Sequence, residues 1–254
     1  MDLGLNGRRA LVTGASRGIG RAIAGTLAAE GCSLAVCARG AEGLDKAVAE
    51  LSADGARVFA RPVDVADTAA LKGFVAAAAD ELGGLDVVVS NVSAGNTKGD
   101  DAWEQSFRAD VLGFAELAAS AVPHLEASDV GSLVAIGTTS ASDTIRPSGP
   151  TPYAAVKAAV VQHASALAHS LAPKGIRVNT VSPGAVEFAG GPWEQIKQAR
   201  PEVYDEVLGK IPVGRYGTVD DVANAVAFLA SPRASFCVGV NFVVDGGLLS
   251  RVQY

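Results

Sequence analysis

Near its N-terminus the chain runs from a short apolar stretch, Arg9-Ala10-Leu11-Val12, through Thr13-Gly14-Ala15-Ser16-Arg17-Gly18-Ile19-Gly20 into the helical pattern Arg21–Glu30. This strand, glycine turn and helix constrain the fold more than any other segment. Glycines at 14, 18 and 20 permit a tight turn and close backbone approach. The helix start behind them presents free N–H groups and the positive end of its dipole, which suits a pyrophosphate. The pattern then repeats as strand and helix in alternation, with strands expected at Arg9–Thr13, Ser33–Ala38, Arg57–Pro62, Asp86–Ser90, Ser132–Ile136, Arg177–Thr180 and Asn241–Val244. Their Val, Leu and Ala runs are apolar on both faces, as strands must be when helices cover both sides. The expected fold is an α/β doubly wound parallel sheet of about seven strands. Ligands in such sheets bind outside the carboxyl ends of the strands, where Thr13, Arg39, Asn91, Ser140 and Pro183 fall.

A second feature carries chemistry. In Thr151-Pro152-Tyr153-Ala154-Ala155-Val156-Lys157, threonine suits a helix cap and proline its first turn, and Pro173-Lys174-Gly175 ends the Ala-rich run. Tyr153 and Lys157 therefore share one helix face. A cation held beside a phenol favours the phenolate, which makes a usable acid or base. Two cations, Arg17 in the glycine turn and Arg39 after Cys37-Ala38, stand where the adenosine ribose of a dinucleotide would lie. Guanidinium groups there pair with a 2′-phosphate and leave NAD without the carboxylate that it prefers, so NADP(H) is the expected cofactor.

Together these residues resemble the classical short-chain dehydrogenase/reductase family, with a general likeness to 3-oxoacyl-[acyl-carrier-protein] reductases and related ketoreductases. The resemblance also includes Asp64-Val65, Asn91 after Val87-Val88-Val89, the stretch Ile176–Gly184, and Gly239–Gly247. It implies a Rossmann-type fold over residues 1–254, with a substrate lid at about 185–211. It implies cofactor contacts from Gly14, Ser16, Arg17, Gly18, Ile19, Gly20, Arg39, Asp64, Val65, Asn91, Tyr153, Lys157, Pro183, Gly184 and Val186. The catalytic residues it implies are a serine, Tyr153 and Lys157, with an asparagine position occupied here by Asp110. The serine has two candidates: the spacing back from Tyr153 gives Ser140, and counting from the fifth strand gives Thr138; Ser140 is preferred, with Thr138 as support or substitute. An aspartate at 110 still accepts hydrogen bonds, but its charge opposes the influence of the Lys157 ammonium on the phenol.

The implied reaction is NADPH-dependent reduction of a ketone to a secondary alcohol, with Tyr153 as proton donor. In the lid, Gly190 and Gly191 suit a hinge, Trp193, Ile196, Val203, Tyr204 and Val207 form an apolar stripe that fits either a pocket wall or a packed helix, and Phe188 stands where relatives keep a threonine. Ser90-Asn91-Val92-Ser93 and Asp110 depart from the family's usual residues and keep open a second reading, a cofactor-binding sensor or interaction protein that has lost chemistry. The helices around Glu116 and at Ala154–Leu171 carry Ala and Val on much of their circumference, and relatives bury these helices in a homotetramer.

The composition limits the remaining possibilities. Hydrophobic residues at 49% suffice for a core, and a net charge of −6 argues against nucleic-acid or anionic-membrane partners. The N-terminus lacks the apolar core of a signal peptide and no apolar stretch is long enough to span a bilayer, so a cytoplasmic protein is expected. Cys32, Cys37 and Cys237 form no metal or disulfide pattern, and His124, His163 and His169 lack ligand spacing.

Overall fold

The computed structural model describes residues 1–53, 55–144 and 150–250. Its strands are β1 (Arg9–Thr13), β2 (Ser33–Ala38), β3 (Val58–Pro62), β4 (Val87–Ser90), β5 (Ser132–Ile136), β6 (Arg177–Pro183) and β7 (Asn241–Val244). All neighbours pair in parallel, in the order β3-β2-β1-β4-β5-β6-β7. The winding reverses between β1 and β4, and the crevice opens there, beyond Thr13 and Ser90.

β6 runs past the expected stop at Thr180 because Thr180–Pro183 pairs with Asn241–Val244. β5 reaches only Val181 in that register, so the missing N–H of Pro183 interrupts no bond to β5.

Helices α1 (Gly18–Ala29), α2 (Ala41–Ala53) and α9 (Val219–Ala230) cover one face of the sheet; α3 (Thr68–Leu82), α5 (Gly113–Glu126) and α6 (Pro152–Leu171) cover the other. Ile23, Leu27, Val36, Val89 and Val226 meet on the first face, and Phe74, Leu117, Val88, Leu133 and Val160 on the second. Each such side chain contributes about 1.5–3 kcal/mol when fully buried. Between β4 and α5 lie α4 (Ala102–Ser106) and a π-helical turn, Phe107–Leu112; the segment between β6 and α9 carries α7 (Pro192–Ala199) and α8 (Pro201–Leu208).

Local chemistry sets the helix ends. Asp67 Oδ1 accepts from Ala70 N–H at 3.0 Å to start α3. Thr218 and Asp221 form a reciprocal capping box on α9. Thr151 occupies the N-cap of α6 in extended backbone, yet among the described residues its hydroxyl makes no capping bond, and Pro152 at the first helical position sets the entry instead. At the other end of α9, buried Arg177 donates to the carbonyls of Leu229, Ala230, Ser231 and Ala234, satisfying groups the helix terminus leaves open. Cys32 and Cys37 are core thiols, both pushed up to about 12 by burial, and Cys237 is also a free thiol. Among the described residues there is no cluster suited to a metal, and no helix is long and apolar enough to cross a membrane.

Candidate active site

The glycine turn between β1 and α1 forms the floor of a groove of about 320 Å³. Gly14, Ser16, Arg17, Gly18, Ile19 and Gly20 line it, with Ala38 and Arg39 at the β2 end and Val63, Val65 and Asn91 along the wall. A Cβ at Gly20 would collide with the Gly14 carbonyl and the Asn91 amide, so only glycine lets α1 start this close to β1. Asn91 straps the crevice: its N–H donates to Thr13 Oγ1 at 3.0 Å, and its Nδ2 donates to Thr13 O at 3.0 Å and Gly14 O at 3.3 Å.

The start of α1 has no side-chain cap and no acidic residue in its first turn. Its first N–H groups and dipole are therefore available to an anion, and the backbone is close-packed around them. Arg17 and Arg39 are exposed on the groove, and among the described residues neither joins an ion pair. These features fit a dinucleotide phosphate. Val65 lines the wall as expected; Asp64 is exposed at its rim, where Oδ1 accepts from Ala66 N–H at 3.0 Å.

Ile19, Asn91, Ser93, Phe188 and Pro192 are shared with a second cavity of about 200 Å³, so the two spaces adjoin. The second cavity is bounded by Ile136, Gly137, Thr138, Tyr153, Lys157, Pro183, Gly184, Val186 and Trp193. Tyr153, in the first turn of α6, is half-buried, whereas Lys157 one turn on is 3% exposed. Lys157 Nζ donates to Ile136 O at 2.9 Å and lies 3.1 Å from Asp110 Oδ1. Asp110, on the π-helical turn, is itself buried, and its Oδ2 accepts from Ala94 N–H at 2.9 Å. The wider π-turn directs Asp110 inward while Phe107 and Leu112 remain exposed.

The structure separates the two candidate hydroxyls. Thr138, two residues beyond β5, lines the cavity with Tyr153; Ser140 is buried within the 3₁₀ turn Thr139–Ala141 and is not among the lining residues. Counting back from Tyr153 leads to Ser140 because it assigns a fixed length to the loop before α6, whereas the strand end fixes what reaches the cavity. Thr138 Oγ1 accepts the Ser140 N–H at 3.2 Å, which leaves the threonine's own proton free to donate.

The segment after β6 is fastened at Gly217: its N–H donates to Ala185 O and its carbonyl accepts from Glu187 N–H, both at 2.9 Å. That pairing turns the N–H and C=O of Val186 the other way, toward the cavity. Of the apolar stripe, Trp193 reaches the cavity, while Ile196, Tyr204 and Val207 pack beneath it on Tyr216. Tyr204 stacks on Tyr216 at 4.3 Å and donates to Glu187 Oε2 at 2.5 Å. That hydroxyl, with Lys197 at 3.1 Å, holds the Glu187 carboxyl below the usual carboxylate range. The Phe188 ring lies over the glycine turn, where a Cβ on Gly18 would come within 2.7 Å of it. Pro192 and Val63 also join the site without having been singled out in the sequence, since neither carries a motif.

The chain is similar along most of its length to known proteins. A family model described as enoyl-(acyl carrier protein) reductase matches residues 14–249. The chain is 39% identical over 260 residues to isoepoxydon dehydrogenase of Penicillium expansum, covering 100% of this chain and 99% of that one. It is 33% identical over 249 residues to a 3-oxoacyl-[acyl-carrier-protein] reductase of Staphylococcus aureus, covering 95% and 98%. The crystal structure of a short chain dehydrogenase from Burkholderia cenocepacia in complex with NADP superposes with a TM-score of 0.86 at 34% identity, covering 96% of this chain and 98% of that one.

Proposed function

Because the chain belongs to the short-chain dehydrogenase/reductase family of oxidoreductases, we propose that it reduces a ketone to a secondary alcohol with NADPH, using Tyr153 as the proton donor. The observation that carries this reading is that the glycine-turn groove, flanked by Arg17 and Arg39, adjoins the cavity lined by Tyr153, Lys157 and Thr138.

A nicotinamide cofactor bound along this path supplies the hydride. The start of α1, with Gly14, Ser16, Arg17, Gly18, Ile19 and Gly20, holds its phosphates, and Arg39 with Arg17 favours the 2′-phosphate of NADP. Asp64, Val65 and Asn91 bound the adenosine end, while Pro183, Gly184 and the outward-turned backbone of Val186 serve the nicotinamide end. The Tyr153 and Thr138 hydroxyls converge on the substrate oxygen, so two donors meet the negative charge that develops there. Ser140 supports this arrangement through its N–H on Thr138. Lys157 donates to Ile136 O and pairs in charge with Asp110, and its remaining N–H donors serve Tyr153 or the cofactor ribose.

The segment at about 185–211 acts as the lid over a single catalytic domain spanning 1–254, with the enzyme cytoplasmic and homotetrameric. Apolar residues exposed on α4 and the π-turn (Trp103, Phe107, Leu112) and along the β7 edge (Phe236, Val238, Val240, Phe242) support assembly. The reading is tested by NADPH consumption against a panel of ketones and 3-oxoacyl thioesters. Turnover supports a reductase and identifies the substrate class. NADPH binding with no reduction of any member, and no NADP reduction by the matching alcohols, supports the sensor reading instead.

A further inference from the structure

We propose that Asp110 is a positioning residue whose charge, delivered through Lys157, biases this site toward carbonyl reduction over alcohol oxidation; the inference rests on the ketone-reducing role of Tyr153. Two groups approach the carboxyl of Asp110, and both are donors: Ala94 N–H meets Oδ2 at 2.9 Å and the Lys157 ammonium faces Oδ1 at 3.1 Å. A carboxylate serves both with acceptors, whereas an amide would set its NH2 against one of them. The contact is direct, between side chains that are both almost wholly buried.

Lys157 has three N–H donors. Ile136 O takes one, and the Asp110 carboxylate pairs with the ammonium at 3.1 Å without accepting a hydrogen bond at Oδ1, so the charge is locally balanced. Among the described residues that bound the cavity, Tyr153 is the only other titratable group. From the rest of α6, His163 packs edge-on against Phe114 at a ring separation of 5.7 Å, and the segment facing Asp110 from before α4 contributes the Ala94 backbone. Tyr153 therefore shares its cavity with an ammonium that is paired with a carboxylate, in place of a lone cation.

The direction of the bias follows from the proton balance. In reduction the carbonyl carbon gains a hydride from NADPH while the oxygen takes the proton of the Tyr153 hydroxyl, and the resulting phenolate regains a proton from solvent. Oxidation runs these transfers backward and needs the phenolate to accept the alcohol proton. Balancing the ammonium preserves the neutral phenol and so favours the first direction.

The test compares wild type with Asp110→Asn and Asp110→Ser in the full-length protein, measuring kcat against pH for reduction of a ketone substrate and for oxidation of its alcohol. Removing the negative charge is expected to move both profiles to lower pH by about one unit. The ratio of oxidation to reduction near neutrality then rises about tenfold, with KM for NADPH changing less than kcat. A merely structural role predicts instead a lower melting temperature and a uniform loss at every pH. Superimposable profiles in either neutral variant that still melts near wild type overturn the inference. Should Asp110→Asn fail to fold because its amide faces a donor, the smaller Asp110→Ser, which still offers an acceptor, decides the matter. Wild type that turns over no ketone or alcohol at any pH would overturn the ketone-reducing reading itself, and that result differs from active enzymes with unmoved profiles.

Discussion

Arg39→Asp should turn the cofactor preference from NADP toward NAD. Arg39 follows the last residue of β2, and Arg17 stands in the glycine turn; both are exposed on the same groove. A hydrogen bond to a charged group contributes about 1.5–3 kcal/mol, and exposure places each arginine toward the lower end of that range. Losing Arg39 and setting a carboxylate against the 2′-phosphate together cost NADP roughly 2–3 kcal/mol, while new bonds to the ribose hydroxyls give NAD about 1 kcal/mol. At about 1.4 kcal/mol per factor of ten, the ratio of kcat/KM for NADPH to that for NADH should fall roughly 10²–10³-fold. The assay is steady-state reduction of one ketone with each cofactor at low ionic strength. Repeating it at higher salt should shrink the wild-type preference, because exposed charges are screened over a Debye length of about 10 Å at 0.1 M. An unchanged ratio in the variant would show that Arg39 does not read the ribose. A preference that ignores salt would point to a buried determinant.

Tyr153→Phe should lower kcat at least ~10²-fold in stopped-flow reduction with NADPH affinity little changed; near-normal turnover would remove Tyr153 as the proton donor. Thr138→Val, which keeps shape but loses the cavity-facing donor, should cut kcat by roughly 10²-fold, whereas Ser140→Ala should stay within about threefold, and the reverse order would restore Ser140 as the catalytic hydroxyl. Arg177→Met leaves the carbonyls of Leu229, Ala230, Ser231 and Ala234 without their buried donor. A loss of about 3 kcal/mol corresponds to a fall in melting temperature of roughly 6–12 °C, and calorimetry showing no change would mean that water replaces the guanidinium.

What could be read in advance divides along a physical line. β1, β2, β5 and β7 fall where the apolar runs place them; β1, β2 and β5 are buried almost throughout, as strands covered on both faces must be, and that signal is local. The glycine turn and the Tyr153–Lys157 pair are legible for the same reason: turn chemistry and helix periodicity fix them within a few residues. Positions that depend on a partner far along the chain are not. β6 continues to Pro183 only because β7 pairs with it, and Thr138 displaces Ser140 from the cavity because loop length before α6 does not determine what the end of β5 presents. The family resemblance puts Asp110 in the site beside Lys157, but the π-turn that carries it is of the second kind. A π-turn leaves little trace in hydrophobic spacing, since its added residue shifts Phe107 and Leu112 to the outside just where a helix of ordinary pitch would be expected to bury part of that face. The irregular turn thus brings a carboxylate to 3.1 Å from Lys157, where a regular helix would set that side chain at another angle. The departure from periodicity is what places the charge in the site.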